Sequence, residues 1–308
     1  VFFVGNSFSY PNVYKKKMDD VFKAAAVTSI LEANPDAISF AGTEEQEFKV
    51  QKIALQGLGT YSKTNGYTDG DIVETWGTYT FGQDRSRKFS IDAVDEIEAF
   101  VKIAKIGAQF TREYVAPEID AYRFHKICDL CNVDATANLT VDNVVAAIDT
   151  GIQTLDDAEV PQEGRVMFIS NEVSNLLKNS GEFFKMRVTH DNMVTKINRK
   201  ISMLDDIPLI RVPKARFYSE FTFYDGITND GTDQRPGGFV PADGATQLNF
   251  IIAPINVLLG IIKYIDPKIV DKKYNTTADK WIYALRIYHE LFILDNKLTG
   301  VYIHKKNS

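Results

Sequence analysis

EYVAPEIDAYRF, residues 113–124, sets a proline and four charged side chains inside what otherwise reads as one long helix. Upstream, Ile97, Val101, Ala104 and Ala108 recur at steps of three and four and share a face. Downstream, Tyr114, Val115, Ile119, Tyr122, Ile127 and Leu130 continue an apolar stripe with some drift. Pro117 has no N–H for the carbonyl of residue 113, so the helix is expected to kink or restart there. Asp120 and Arg123 stand three apart, within reach of each other on a helix. Nothing in the stretch resembles a pair of catalytic carboxylates in a cleft. It reads as a structural beam.

On the N-terminal side of this beam the texture changes. EFKVQKIAL (47–55) and DIVETWGTYTF (71–81) have strand composition and partial alternation, and RSRKFSID (85–92) is a third extended piece. GLGTYSKTNGYTDG lies between the first two. The expectation is one long antiparallel ribbon with a glycine-rich tip. A two-stranded ribbon is marginal alone and needs a surface to pack on; a neighbouring subunit can supply it, or the ribbon can fold back on its own domain. Earlier still, MDDVFKAAAVTSIL (18–31) reads as a short helix ended by Asn34-Pro35, with Asp19 and Asp20 near its start.

On the C-terminal side, residues 139–160 are expected to form a helix capped by Thr140, with Val144, Ile148, Ile152 and Leu155 buried. A strand follows at Val166–Ile169, then a helix capped by Ser170 or Asn171. IPLIRVP (207–213) is a second strand, and LNFIIAPI (248–255) a central one. Helices on the faces of a sheet make this an α+β unit. The glycine-rich stretch 219–245 reads as a long surface loop. ELFIL and VYIH read as strands joined by a hairpin turn at DNKLTG (295–300) and packed against the long helix.

The totals are those of a folded, water-exposed chain: 308 residues, 44% hydrophobic, 25% charged, net charge −6. That balance argues against general nucleic-acid affinity, although a shell that encloses DNA need not grip it. Cys128 and Cys131 are too few for a disulfide framework. CDLC lies at a helix end and lacks a second pair for zinc, so two small buried side chains are the reading. His125, His190, His289 and His304 form no ligand spacing, and the His289-Glu290 pair lacks the second histidine of a zinc-protease helix. There is no GxxxxGK[ST], GxGxxG or GxSxG motif, and Arg235–Phe239 (RPGGF) has no lysine to hold a phosphate. No residue is assigned a catalytic, cofactor-binding or metal role, no cofactor is expected, and no stretch approaches the ~18 apolar residues of a membrane helix. The first residue is Val, which fits either a removed leader or a partial sequence. Lys15–Lys17 read as a solvated basic run.

Taken in order, GTYSKTNGY, DIVETWGTYTFGQDRSRKFSIDAVDEIEA, FTREYVAPEIDAYRFHKI, LDDAEVPQEGRVMFISNEVSNLLKNSGEFF, INRKISMLDDIPLIRVPKARF and YHELFILDNKLTGVYIHKK resemble the major capsid proteins of tailed double-stranded DNA bacteriophages. That family's fold is shared with herpesvirus capsids and with bacterial nanocompartment shells. The likeness runs from about residue 40 to 306. It implies an N-terminal arm (1–43), an extended β loop (44–92), a peripheral domain made of a spine helix (93–137) and C-terminal strands (256–308), and an axial domain (138–255) whose 219–245 loop meets the capsomer axis. It further implies hexamers and pentamers in an icosahedral shell around double-stranded DNA bound without sequence specificity. Portal, decoration and scaffolding proteins are the implied partners, no membrane is involved, and no enzyme activity is implied. Some relatives crosslink a loop lysine to an asparagine. Lys63 lies near the loop tip and Asn296 in the C-terminal hairpin, but sequence alone matches neither to the crosslinking positions, and non-covalent assembly is expected. A nanocompartment shell around cargo enzymes is the alternative, and a soluble α+β enzyme is a third reading.

Overall fold

A computed structural model describes residues 25–32, 47–64, 66–92, 99–181, 203–275 and 278–307. The expected start of the first helix, the Lys15–Lys17 run and His190 lie outside these residues. Of that first helix, Val27–Leu31 is a short 3-10 turn.

The long helix has two parts: α1 (Ala99–Phe110) and α2 (Ala116–Leu130), joined through a π-turn over Thr111–Val115. In that turn the Ala116 N–H donates to Thr111, five residues back. The wide turn sits immediately before Pro117, where a helical carbonyl loses its donor. The beam therefore bends at the expected place without breaking. Val115, Ile119, Tyr122 and Ile127 are buried as the stripe implies, whereas Tyr114 and Leu130 face outward, because the wide turn shifts the helical phase.

Two sheets flank this helix. The first has three antiparallel strands in the order β13 (Leu258–Val270), β14 (Lys280–Ile293), β3 (Gln83–Asp92). Tyr283, Leu285 and Ile287 of β14 pack on Val115, Ala116 and Ile119 of the helix. The second has six strands in the order β4 (Ala135–Thr136), β15 (Tyr302–Lys305), β12 (Leu248–Pro254), β5 (Arg165–Ser170), β7 (Ile207–Val212), β6 (Met203–Leu204).

Every residue of β5 and β12 is buried, because alternate side chains enter different cores. Val166, Phe168, Ile251, Ala253 and Ile303 pack with Phe124 and Ile127 of the long helix. Met167, Ile169, Phe250, Ile252 and Tyr302 pack with α3 (Val144–Asp157) and α4 (Asn171–Asn179). A sheet covered on both faces favours apolar residues on both, which is why 248–255 is apolar except for Asn249, whose buried amide donates to the Ala137 and Lys305 carbonyls. Ser170 caps α4 by accepting from the Val173 N–H.

Four expectations are corrected. The helix expected from residue 139 begins at Val144, because the Asn143 side chain accepts from the Thr140 N–H at 2.7 Å and holds that segment in a turn. The extended pieces do not form one ribbon: β1 (Glu47–Leu55) pairs only with β2 (Ile72–Thr80), and β3 joins β14. DNKLTG is no hairpin turn but a 3-10 segment that carries the chain from the three-stranded sheet into the six-stranded one. Accordingly β15 does not pair with β14, although Ile303 still packs against the long helix as expected. The strand pairs with β12 and β4, where Tyr302 and Ile303 reach both cores. Finally, stretch 219–245 is not a plain loop. β8 (Phe221–Phe223) pairs with β11 (Phe239–Pro241), and two short strands, β9 (Asn229–Asp230) and β10 (Thr232–Asp233), pair with each other at its tip.

Candidate functional site: an assembly surface

The β1–β2 ribbon is the feature that the rest of the described chain does not cover. Its register places Leu55 opposite Ile72, Ile53 opposite Glu74 and residue 51 opposite Trp76. Directly opposed residues share a face, and alternate residues share it along each strand. Ile53, Leu55, Ile72 and Trp76 therefore form one apolar face, with Glu74 among them. They are 59%, 72%, 74% and 56% exposed. Covering one Ile or Leu side chain fully is worth about 1.5–3 kcal/mol, so this face favours a partner surface. Beyond it, Leu58, Tyr61 and Tyr67 are also exposed, and the two tyrosine rings meet edge to face at 5.3 Å.

The root of the ribbon is held firmly. Phe81 is buried with Phe292 and Ile261, and Tyr79 and Tyr288 pack against them. The Tyr288 hydroxyl donates to the Phe81 carbonyl at 2.8 Å, and Lys263 lies over the Phe81 ring. Next to it, the Gly82 N–H donates to Glu290, whose other oxygen accepts from the Tyr122 hydroxyl. Burial and the Glu290 carboxylate push the Tyr122 hydroxyl far above its ordinary range, so it stays a donor. Among the described residues the ribbon is thus exposed at its far half, from Ile53 to Val73, and fixed at its root by Tyr79, Phe81 and Gly82.

The residues with chemical potential are used for packing. His289 and Glu290 are buried on β14. Burial, then the charges of Arg123 and Arg85, push the His289 imidazole down to about 3, so it is neutral. His304 is buried with Nδ1 3.0 Å from the Asn249 amide. Cys131 is buried and Cys128 half-buried, and burial pushes both thiols up to about 12. Among the described residues no group of three His, Cys, Asp or Glu is placed to hold a metal ion.

A cavity of about 180 Å³ lies between β3, the π-turn, β14 and the segment before and after β9–β10. Its charges are matched within the chain: Arg85 pairs with Glu118, and Asp84 with Arg286, which holds the Asp84 carboxyl below its ordinary range. Gly226 and Gly237, both with positive φ, let the backbone pass beside the Arg87 guanidinium, which donates to the Arg235 carbonyl. Stretch 219–245 is thereby tied to β3, and Phe223 packs against Tyr122 of the long helix.

Sequence reasoning found the antiparallel pairing of 47–55 with the strand in 71–81. It missed the ribbon's root, since Glu290, Tyr122 and Gly82 are far apart in the chain and only the fold joins them.

No protein-family model matches the chain, and no curated protein does so. Solved structures do. A structure from Mycobacterium phage Che8 is 14% identical, with 91% of this chain and 90% of that one covered and a TM-score of 0.56. The capsid structure of cyanophage P-SCSP1u is 10% identical over 87% and 85% of the two chains, TM-score 0.59. The head structure of Helicobacter pylori bacteriophage KHP40 is 14% identical over 87% and 86%, TM-score 0.56. The chain has the α+β fold of the tailed-phage major capsid proteins.

Proposed function

We propose that this chain is a structural subunit that assembles as hexamers and pentamers into an icosahedral phage capsid around double-stranded DNA. The observation that carries the reading is the exposed face of Ile53, Leu55, Ile72 and Trp76, on a ribbon anchored at its root. A second copy of the chain is the partner that a closed shell supplies to every ribbon. The capsid and head structures that share the fold support this. On this reading residues 1–43 are the arm, 44–92 the extended loop, 93–137 with 256–308 the peripheral domain and 138–255 the axial domain. The chain's work is mechanical rather than enzymatic. Many weak contacts closed into a lattice hold together without any one being strong. Assembly takes place in the host bacterial cytoplasm, with a portal protein and possible decoration or scaffolding proteins as partners.

Electron microscopy of the purified protein tests the proposal. Uniform icosahedral particles tens of nanometres across, with ribbons lying on adjacent copies, are expected. A protein that stays monomeric under all assembly conditions overturns it. Particles that enclose a protein cargo in place of DNA point to a nanocompartment instead. Denaturing gels of mature particles are expected to show monomer, in line with non-covalent contacts.

A further inference from the structure

Asp120 and Arg123, the polar pair inside the opening stretch, are fully buried on α2, and neither acts on its own helix. Both face residues 25–32. Asp120 accepts from the Val27 N–H at 3.0 Å, the Thr28 N–H at 2.9 Å and the Thr28 hydroxyl at 2.6 Å. A helical turn leaves its first N–H groups without partners, and a carboxylate is a strong cap for them. Here that cap comes from a helix about ninety residues away in sequence. Arg123 donates to the carbonyl and hydroxyl oxygens of Thr28. Arg216 donates to Asp120 and to the Ala25 carbonyl.

The segment is recognised by side chain as well as backbone. Ala26 is buried beside Val115 and Ile119, and Leu31 enters the core with Phe124 and Ile127. Glu32 bridges to Gly260 and lies 3.8 Å from Arg123. A Cβ on Gly260 would stand 3.0 Å from the Arg123 guanidinium and 3.1 Å from the Leu31 carbonyl, so this close approach requires glycine. Charge completes the fit. Asp120, Arg123 and Arg216 leave one positive charge in excess, and Glu32 of the segment cancels it. A buried charge is costly without a partner, so the groove favours an acidic residue after the leucine.

We propose that this groove is a peptide-docking site that reads the pattern Ala-x-Thr-x-x-Leu-Glu, filled here by residues 26–32, and that the segment enters and leaves it as a unit. Its attachment is made of one backbone bridge, a set of side-chain caps and two apolar anchors rather than of sheet pairing. When it leaves, Asp120 keeps Arg216 as its partner, while Arg123 gives up Glu32 and Thr28 and carries the one excess positive charge into the vacated groove. The inference stands on these contacts and does not depend on the capsid reading.

The test uses the full chain carrying Thr28→Val and Glu32→Gln, and a fluorescently labelled peptide AAVTSILE with the sequence of residues 25–32. Hydrogen exchange of the amides at 27 and 28 is expected to speed up at least tenfold in the variant while amides of β12 are unchanged. The peptide is expected to bind the variant saturably, bind the parent chain at least tenfold more weakly because its groove is filled, and lose at least tenfold in affinity when its threonine is replaced by valine. Unchanged exchange at 27 and 28 overturns the assigned contacts. Exchange that rises in β12 as well shows that the segment is not separable and overturns the proposal. So does a peptide that fails to bind the loosened variant, or that binds parent and variant alike.

Discussion

Tyr122 and Glu290 are 168 residues apart in the chain, and the tyrosine hydroxyl donates to the carboxylate at 2.5 Å in a buried setting. The second carboxylate oxygen takes the Gly82 N–H at 3.0 Å. One side chain of β14 thus fastens the ribbon's root to the long helix.

Glu290→Ala removes the acceptor for both donors and leaves the Tyr122 hydroxyl buried without it, whereas the Gly82 N–H lies at an exposed residue and can turn to water. The unsatisfied buried hydroxyl costs about 1–3 kcal/mol. The variant is expected to unfold at a midpoint several degrees below the parent, measured by circular dichroism. Glu290→Gln keeps the shape and is expected to fall between the two. A Glu290→Ala protein as stable as the parent would show that the link contributes nothing.

Trp76→Ser with Ile53→Ser polarises the exposed ribbon face and touches no described core. The thermal midpoint of the unassembled chain is expected to stay within about a degree, since exposed substitutions typically shift stability by under ~0.5 kcal/mol. Particle yield, read by light scattering and microscopy, is expected to collapse. Normal particles from this variant would remove the ribbon face from the assembly contacts.

The folded state holds His289 neutral down to about pH 3, whereas an unfolded histidine protonates near its ordinary value of 6.5. The unfolded chain therefore binds more protons between these values, and stability falls as pH drops from 6.5 toward 3. Its slope reaches about 1.4 kcal/mol per pH unit from this residue. His304, also pushed down by burial, adds in the same direction. His289→Phe keeps a ring against Tyr122, and its urea midpoint is expected to vary less between pH 6.5 and 4 than the parent's. Equal slopes would rule out His289 as a source of acid sensitivity.

Cys128 and Cys131 give the opposite limb. Their thiols are raised to about 12 in the fold from an ordinary 9.0, so stability is full below that value and declines as pH rises from 9 to 12. Neither thiol is expected to react with iodoacetamide at pH 8 until the chain is unfolded in urea, as mass spectrometry can score.

Gly151 lies in the middle of α3, and a Cβ there would stand 2.9 Å from the Tyr302 ring and 3.3 Å from Ile252. Alanine improves helix propensity by up to ~1 kcal/mol, but overpacking a tight core costs about 1–3 kcal/mol. Gly151→Ala is expected to lower stability despite its better propensity. A stabilised variant would mean that the helix can move away from the sheet freely.

These contrasts show which physics the sequence displays. Strands β5, β7 and β12, the Ser170 cap and the bend before Pro117 are legible because each follows from composition or chemistry within a few residues. The pairing of β3 with β14 is not, since Arg85–Asp92 looks equally suited to either neighbour and the choice depends on where the long helix lies. DNKLTG misleads for a related reason: its residues suit a turn, yet the strand after it finds its partner β12 some fifty residues upstream. The start of α3 was misplaced because residues 141–143 form a turn, in which the Asn143 side chain accepts from the Thr140 N–H. The exposed ribbon was legible from its polarity and length, but its apolar face needed the register.

The placement of β15 bears on how the molecule is made. Tyr302–Lys305 lies between β4 and β12, inside the six-stranded sheet rather than at its rim. During translation, β12 therefore waits with one side open until residue 305 has left the ribosome. Pairings between distant parts of a chain form slowly, and an unfilled strand edge is prone to wrong partners in the interval. Nascent chains stalled before residue 302 should be held by chaperones, whereas those released after 305 can close the sheet and become competent to meet one another.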